Sequence, residues 1–111
     1  MRNRLRLVWS PAAKEDVKKI WRYFARVASP EIADGLLREI DRAADRLIDH
    51  PRQWRLRMDI MPGLKGGLRS VLVHPYTIFY QLGEDDIRIV RVLHERRHFG
   101  EVLWERRIQQ D

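Results

Sequence analysis

The chain has 111 residues, 44% of them hydrophobic, which suits one domain with a single packed core. It holds no cysteine, so disulfides, thiolate nucleophiles and cysteine-ligated zinc are excluded, a composition in keeping with a reducing cytoplasm. A net charge of +6 favours acidic partners such as nucleic acid or an acidic protein segment, and no apolar run approaches the roughly 20 residues of a membrane span.

Residues 4–9 (Arg-Leu-Arg-Leu-Val-Trp) begin with the alternation of a half-buried strand. The basic start, Met1 to Arg6, is not followed by a long apolar stretch and does not read as a signal peptide. Ser10-Pro11 supplies an N-cap with proline at the first helical position. Val17, Ile20, Trp21 and Phe24 then recur at helical spacing while Lys14, Lys18, Lys19, Arg22 and Arg26 face elsewhere, predicting an amphipathic helix over 11–27. Ser29-Pro30 repeats the start signal. An apolar stripe from Ala33 through Ile40 to Ile48 runs to His50-Pro51, where proline stops the second helix. So short a connection makes the two helices an antiparallel hairpin.

Residues 51–67 read as an arginine-rich loop closed by Met61-Pro62-Gly63 and Gly66-Gly67. Three strands follow, Leu68–Val73, Tyr76–Leu82 and Ile87–His94, divided by His74-Pro75 and by Gly83-Glu84-Asp85-Asp86; such short turns force antiparallel neighbours. The last of them is apolar on both faces, the pattern of a central strand. A short helix over about 99–107, with Phe99, Val102, Leu103 and Trp104 as its apolar side, closes the order β-α-α-β-β-β-α. The fold class is therefore α+β in one domain over 1–111: an N-terminal strand, a two-helix hairpin, a three-stranded meander completing one sheet, and a terminal helix.

The charge is uneven. Residues 1–24 carry seven Lys/Arg against two acids and residues 51–69 carry five against Asp59, whereas residues 25–50 hold four Arg against six acids. His94-Glu95-Arg96-Arg97-His98 spells H-E-x-x-H, which binds zinc when both histidines share a helix face. Here His94 ends a strand-like run, and residues four apart in a strand are about 13 Å apart, so no metal is expected. His94, Arg96 and Arg97 instead crowd three potential cations onto a mount held by the core, suited to an anionic partner. Tyr76, Ile78 and Tyr80 share one strand face and read as core, as do Trp21 and Phe24; Trp54, among arginines, is the aromatic least expected to be structural. No Walker loop, no G-x-S-x-G and no isolated carboxylate pair is present, so nothing nominates a nucleophile, a catalytic acid or a cofactor.

Four segments in this order resemble ParE-type toxins of the RelE/ParE toxin–antitoxin superfamily: Ser10-Pro-Ala-Ala-Lys14, His50-Pro51-Arg52, Pro62-Gly63-Leu64 through Leu68-Arg69 into Tyr76-Thr-Ile-Phe-Tyr80, and Ile89-Val-Arg-Val-Leu-His94 with Arg96-Arg97. The RelE branch, made of ribosome-dependent mRNA endonucleases, carries two lysines in the strand after the loop, an arginine after the first tyrosine of the aromatic strand, an arginine past the last strand, and a later tyrosine. This chain has Leu68 and Ser70, Thr77, and Glu95 at those places, with Arg96 one step on and no tyrosine after Tyr80. The resemblance therefore implies ParE-like behaviour: a toxin that is not itself an enzyme and that binds DNA gyrase, with indirect contact to DNA as a further possibility. It also implies neutralisation by a cognate antitoxin in a hetero-oligomer. The implied target-binding residues are Arg69, His94, Arg96, Arg97 and Trp104. For the antitoxin they are Lys14, Lys18, Trp21, Arg22, Arg52 and Trp54, with an exposed sheet edge open to strand addition. The alternatives are an endonuclease with relocated groups (Arg69, Arg96, His98) and a relative that has lost toxicity.

Overall fold

A computed structural model describes residues 5–95 of the chain. In chain order it contains β1 (Arg6–Trp9), α1 (Pro11–Val27), α2 (Pro30–Asp49), β2 (Arg55–Leu56), β3 (Leu68–Val73), β4 (Tyr76–Leu82) and β5 (Asp86–His94). The helix expected over 99–107 lies outside the described residues. Both helices start as their Ser-Pro pairs dictate. Ser10 Oγ accepts from the Ala13 amide at 3.0 Å and Ser29 Oγ from that of Ile32 at 3.1 Å, each proline occupying a position whose N–H has no helical acceptor.

The strands form one sheet in the order β1-β5-β4-β3-β2. β3, β4 and β5 run as the antiparallel meander expected, and β1 adds parallel to β5, with Trp9 opposite Ile89. β5 is thus central along its first half and buried on both faces, as its unbroken apolar run requires. One element was not legible in the sequence: Arg55–Leu56, inside the loop expected over 51–67, pairs with Ser70 and Arg69 as a two-residue edge strand. Two residues are too few to show a period.

The helix hairpin covers one face of the sheet. Ala13, Ile20, Ile40, Ala43, Ala44 and Leu47 pack against Val71, Tyr76, Ile78, Tyr80, Leu82, Ile87, Ile89 and Val92. On the opposite face Met61, Leu68, Phe79, Val90 and Leu93 form a second cluster, with Ile60 and Leu64 folded onto it from the loop. A bulge lets one strand serve both clusters. Phe79 is opposite Arg91 and Tyr80 opposite Ile89, so Val90 is the extra residue, and it turns to the second cluster while Ile89 and Val92 stay on the first.

Candidate functional site

The strand end that carries His94 is held by aromatic contacts. His94 is opposite Tyr76 in the ladder, and its ring stands edge-on to that tyrosine at 5.4 Å; Tyr76 in turn meets Phe24 of α1 at 6.5 Å. Burial raises the Tyr76 phenol above its ordinary value, so it stays neutral beside the imidazole. Glu95 follows in a turn, its amide donating to the Pro75 carbonyl at 2.8 Å and its carboxylate 3.3 Å from His74 Nδ1. His94 and Glu95 are thus strand and turn, not the helix that zinc binding by H-E-x-x-H demands. Among the described residues no group of three His, Asp or Glu is placed to hold a metal. Arg96, Arg97, His98 and Trp104 lie outside the described residues.

Arg69, assigned from sequence to the same target surface, does not sit beside His94. It is opposite Tyr80, four residues from Tyr76 along β4, or about 13 Å of strand. Its Nη1 donates to the carbonyls of Arg52 at 3.3 Å and Trp54 at 2.9 Å, while the Tyr80 hydroxyl donates to the Pro51 carbonyl at 2.8 Å. Burial pushes the Tyr80 phenol up to about 12, against the opposing pull of Arg69, which keeps it a donor. These bonds pin the chain leaving α2 to the sheet. Trp54 is drawn in with it: the indole packs against the main core, contrary to its expected freedom from structure, because a large apolar ring beside a sheet edge gains more from burial than from solvent.

The hairpin presents a groove of about 290 Å³ between its helices, floored by Val17, Trp21 and Leu37 and flanked by Lys18 and Arg22. Trp21 is fixed by an Nε1–H donated to Asp34 Oδ1 at 2.8 Å, and Arg22 leans on Glu15 at 3.2 Å, an exposed pair of little energetic weight. Lys14 precedes Lys18 by one turn on the same ridge and is exposed. Four of the six residues expected to meet an antitoxin therefore share one surface. Arg52 and Trp54 do not: from Leu37 to the end of α2 is roughly 18 Å of helix, and both lie beyond it. At the opposite edge of the sheet, β2 pairs only with Arg69 and Ser70, so the outer side of Val71–Val73 has no strand partner among the described residues, and Leu72 is 60% exposed.

Of the positions where RelE-type nucleases place lysine and arginine, those within the strands lie on the sheet face away from the helices, and Glu95 lies in the turn after β5. Leu68 belongs to the second cluster, and Ser70 and Thr77 are also buried. Arg57, from the loop, reaches this face beside Arg55, and it is already engaged. It donates to both Asp59 oxygens at 3.0 and 2.9 Å and to Ser70 Oγ at 3.2 Å, and lies over the Phe79 ring at 5.8 Å. The Arg57 hydrogen bonds are the main reason the Asp59 carboxyl falls to about 2. A guanidinium neutralised in this way is a scaffold for the loop rather than a free electrophile.

One arrangement had no counterpart among the sequence expectations. Asp16 of α1 and Arg91 of β5 form a buried ion pair, Arg91 Nε and Nη2 donating to the carboxylate at 2.6 and 2.8 Å and the Val92 amide at 3.0 Å. The signal was present on both sides: Asp16 falls in phase with Ala13 and Ile20 on the buried face, and Arg91 interrupts an Ile-Val-x-Val-Leu strand. Together with Ser10, whose hydroxyl donates to the Val90 carbonyl at 2.9 Å, Asp16 takes up the backbone of β5 where β1 has ended. This fixes the strand that carries His94.

No helix among the described residues is long and apolar enough to cross a membrane. The family model for the ParE toxin of type II toxin–antitoxin systems (parDE) matches residues 7–99. Toxin ParE1 of Mycobacterium tuberculosis (strain CDC 1551 / Oshkosh) is 36% identical over 92 residues, covering 82% of this chain and 90% of that protein. Toxin ParE3 of Caulobacter vibrioides is 28% identical over 98 residues, covering 88% and 94%. A solved chain of the chromosomal ParDE toxin–antitoxin system from P. aeruginosa superposes with a TM-score of 0.69 over 81% of this chain and 95% of that one, at 22% identity, a likeness of fold. By the extent of the family match and the identity to its relatives, this chain belongs to the ParE toxin family of type II toxin–antitoxin systems.

Proposed function

We propose that this chain arrests growth in the bacterial cytoplasm by binding DNA gyrase, without chemistry of its own, and that a cognate antitoxin neutralises it by seating an amphipathic segment on the helix hairpin. The observation that carries the reading is the family match over residues 7–99, which takes in both helices and all of the sheet but Arg6. The surfaces support the division of roles. Val17, Trp21 and Leu37 offer an apolar floor with cations alongside, the complement of a helix with an apolar stripe and acidic flanks. Lys14, Lys18, Trp21 and Arg22 are its antitoxin contacts, and the edge at Val71–Val73, which has no strand partner among the described residues, offers a second anchorage for an extended strand. His94, held against Tyr76, is the target-binding residue within the described part of the chain, and the sequence adds Arg96, Arg97 and Trp104 to that role.

Induced expression, with and without a co-expressed cognate antitoxin, tests the reading when growth, DNA-damage response and mRNA integrity are scored together. Arrest with DNA damage, intact mRNA and rescue by the antitoxin is expected. Arrest with cleaved mRNA would replace gyrase poisoning by a nuclease acting through Arg69, Arg96 and His98. Harmless expression of folded protein would leave an antitoxin-binding relative. Charge reversal at Lys18 and Arg22 should weaken antitoxin binding by about tenfold or more without reducing toxicity; unchanged binding would remove the hairpin from the antitoxin interface.

A further inference from the structure

Arg57, Arg69 and Arg91 are guanidinium groups withdrawn wholly or partly from solvent, and two of them sit on a carboxylate. Arg57 is paired with Asp59 and Arg91 with Asp16. Arg69 is different. Only the backbone carbonyls of Arg52 and Trp54 receive it, its Nε–H is buried without an acceptor, and no carboxylate among the described residues lies within ion-pair distance. A cation held partly out of water without a counter-charge is costly, and the cost is recovered when an anion arrives.

The place for that anion is formed around it. Arg69 lines a cleft of about 720 Å³ between the connection leaving α2 and the β4–β5 turn, and Arg52, Lys65 and Glu84 line it too. Its two walls are tied to the sheet. One is held by the Arg69 and Tyr80 bonds to residues 51–54. The other is held by Gln81 Nε2, which donates to the Lys65 carbonyl at 2.8 Å, and by Gly66, whose φ of +80° brings its backbone so close to the Leu82 carbonyl that no Cβ would fit. Neither Arg52 nor Lys65 has an ion-pair partner for its side chain among the described residues. Three cations less one carboxylate leave about +2, the complement of a phosphate monoester, which carries about −1.5 to −2 at pH 7, better than of a diester. The volume lies within the range of roughly 300–1,000 Å³ for small-ligand sites and exceeds what a bare phosphate fills, and Leu5 and Leu82 give it an apolar wall.

We propose that this cleft binds a phosphate monoester of the nucleoside-monophosphate class, its phosphate between Arg52, Lys65 and Arg69 and its nucleoside toward Leu5, Leu82 and Glu84. The monoester is either a free nucleotide or the 5′-phosphorylated end of a nucleic-acid strand.

Titration of the isotopically labelled full chain with adenosine 5′-monophosphate, adenosine and a 5′-phosphorylated oligonucleotide, followed by amide shifts, tests it. The monophosphate should saturate shifts at Gly66, Gly67, Arg69 and Glu84, and adenosine should not. R52Q and K65Q should each weaken binding by about tenfold, whereas R42Q, an equal charge change on the outer face of α2, should leave it within about twofold. Saturation by the monophosphate supports a free nucleotide as the source; saturation by the oligonucleotide alone keeps the site and assigns it to a strand end. Absence of saturation by either up to about 10 mM, or an equal loss in R42Q, overturns the proposal and leaves only a diffuse positive field.

Discussion

Replacing Asp16 by alanine strands two groups at once. The Arg91 guanidinium, whose side chain is 5% exposed, loses its counter-charge, and the Val92 amide loses its acceptor. Breaking a buried ion pair from one side costs about 3–5 kcal/mol, a large share of the roughly 5–15 kcal/mol that holds a domain together. With a urea m value of about 2 kcal/mol/M, the unfolding midpoint should drop by about 1.5–2.5 M at unchanged m. The double variant D16A/R91M removes the stranded charge and leaves only the unpaired Val92 amide, at about 1–3 kcal/mol. It should therefore be more stable than D16A alone, the coupling expected of neighbours that act as a unit. Urea titrations followed by tryptophan fluorescence measure both. A D16A loss below about 1 kcal/mol, or a double variant no better than the single one, would refute the reasoning.

Three further outcomes are expected. Gly66→Ala forces a Cβ onto the Leu82 carbonyl at a positive φ and should cost about 1–3 kcal/mol, seen as a Tm lowered by roughly 5–15 °C. Gly63→Ala, where nothing lies within 4 Å, should stay within about 0.5 kcal/mol of wild type. The Asp59 carboxyl, depressed from 3.8 to about 2 chiefly by its Arg57 hydrogen bonds, adds stability that is fully present above its unfolded pKa and lost as pH falls through the folded one. Carboxyl NMR titration should therefore give a midpoint near 2 that rises toward 3.8 in Arg57→Gln, and an unmoved midpoint would dissociate the pair.

Helix boundaries were legible because Ser-Pro and His-Pro junctions act locally: capping and a missing N–H are decided within one turn. The meander was legible for a similar reason, since its turns are too short for anything but antiparallel return. The parallel attachment of β1 was not, because Trp9 and Ile89 meet across 80 residues of chain and alternation says nothing about which neighbour a strand takes. The same distance hid Asp16 and Arg91, although each stood out in its own element. Charge gave a partial reading of the surfaces. It grouped Lys14, Lys18 and Arg22 correctly on one helical ridge, where spacing fixes direction. It also placed Arg69 with His94, which β-ladder register separates, and left Trp54 free in a loop that the Arg69 guanidinium in fact fastens down.

β1 covers only the first half of β5, and beyond Trp9 the side chains of Ser10 and Asp16 answer the strand's Val90 carbonyl and Val92 amide. The segment from Ile89 to Leu93 is short, apolar and rich in branched residues, the kind that templates intermolecular cross-β growth when its edge is bare. Among the described residues that edge is sealed past Ile89 by α1 and its cap rather than by a strand, so its protection lasts only as long as α1 stays docked. Partial detachment of α1, far short of global unfolding, is thus the opening through which this protein would aggregate.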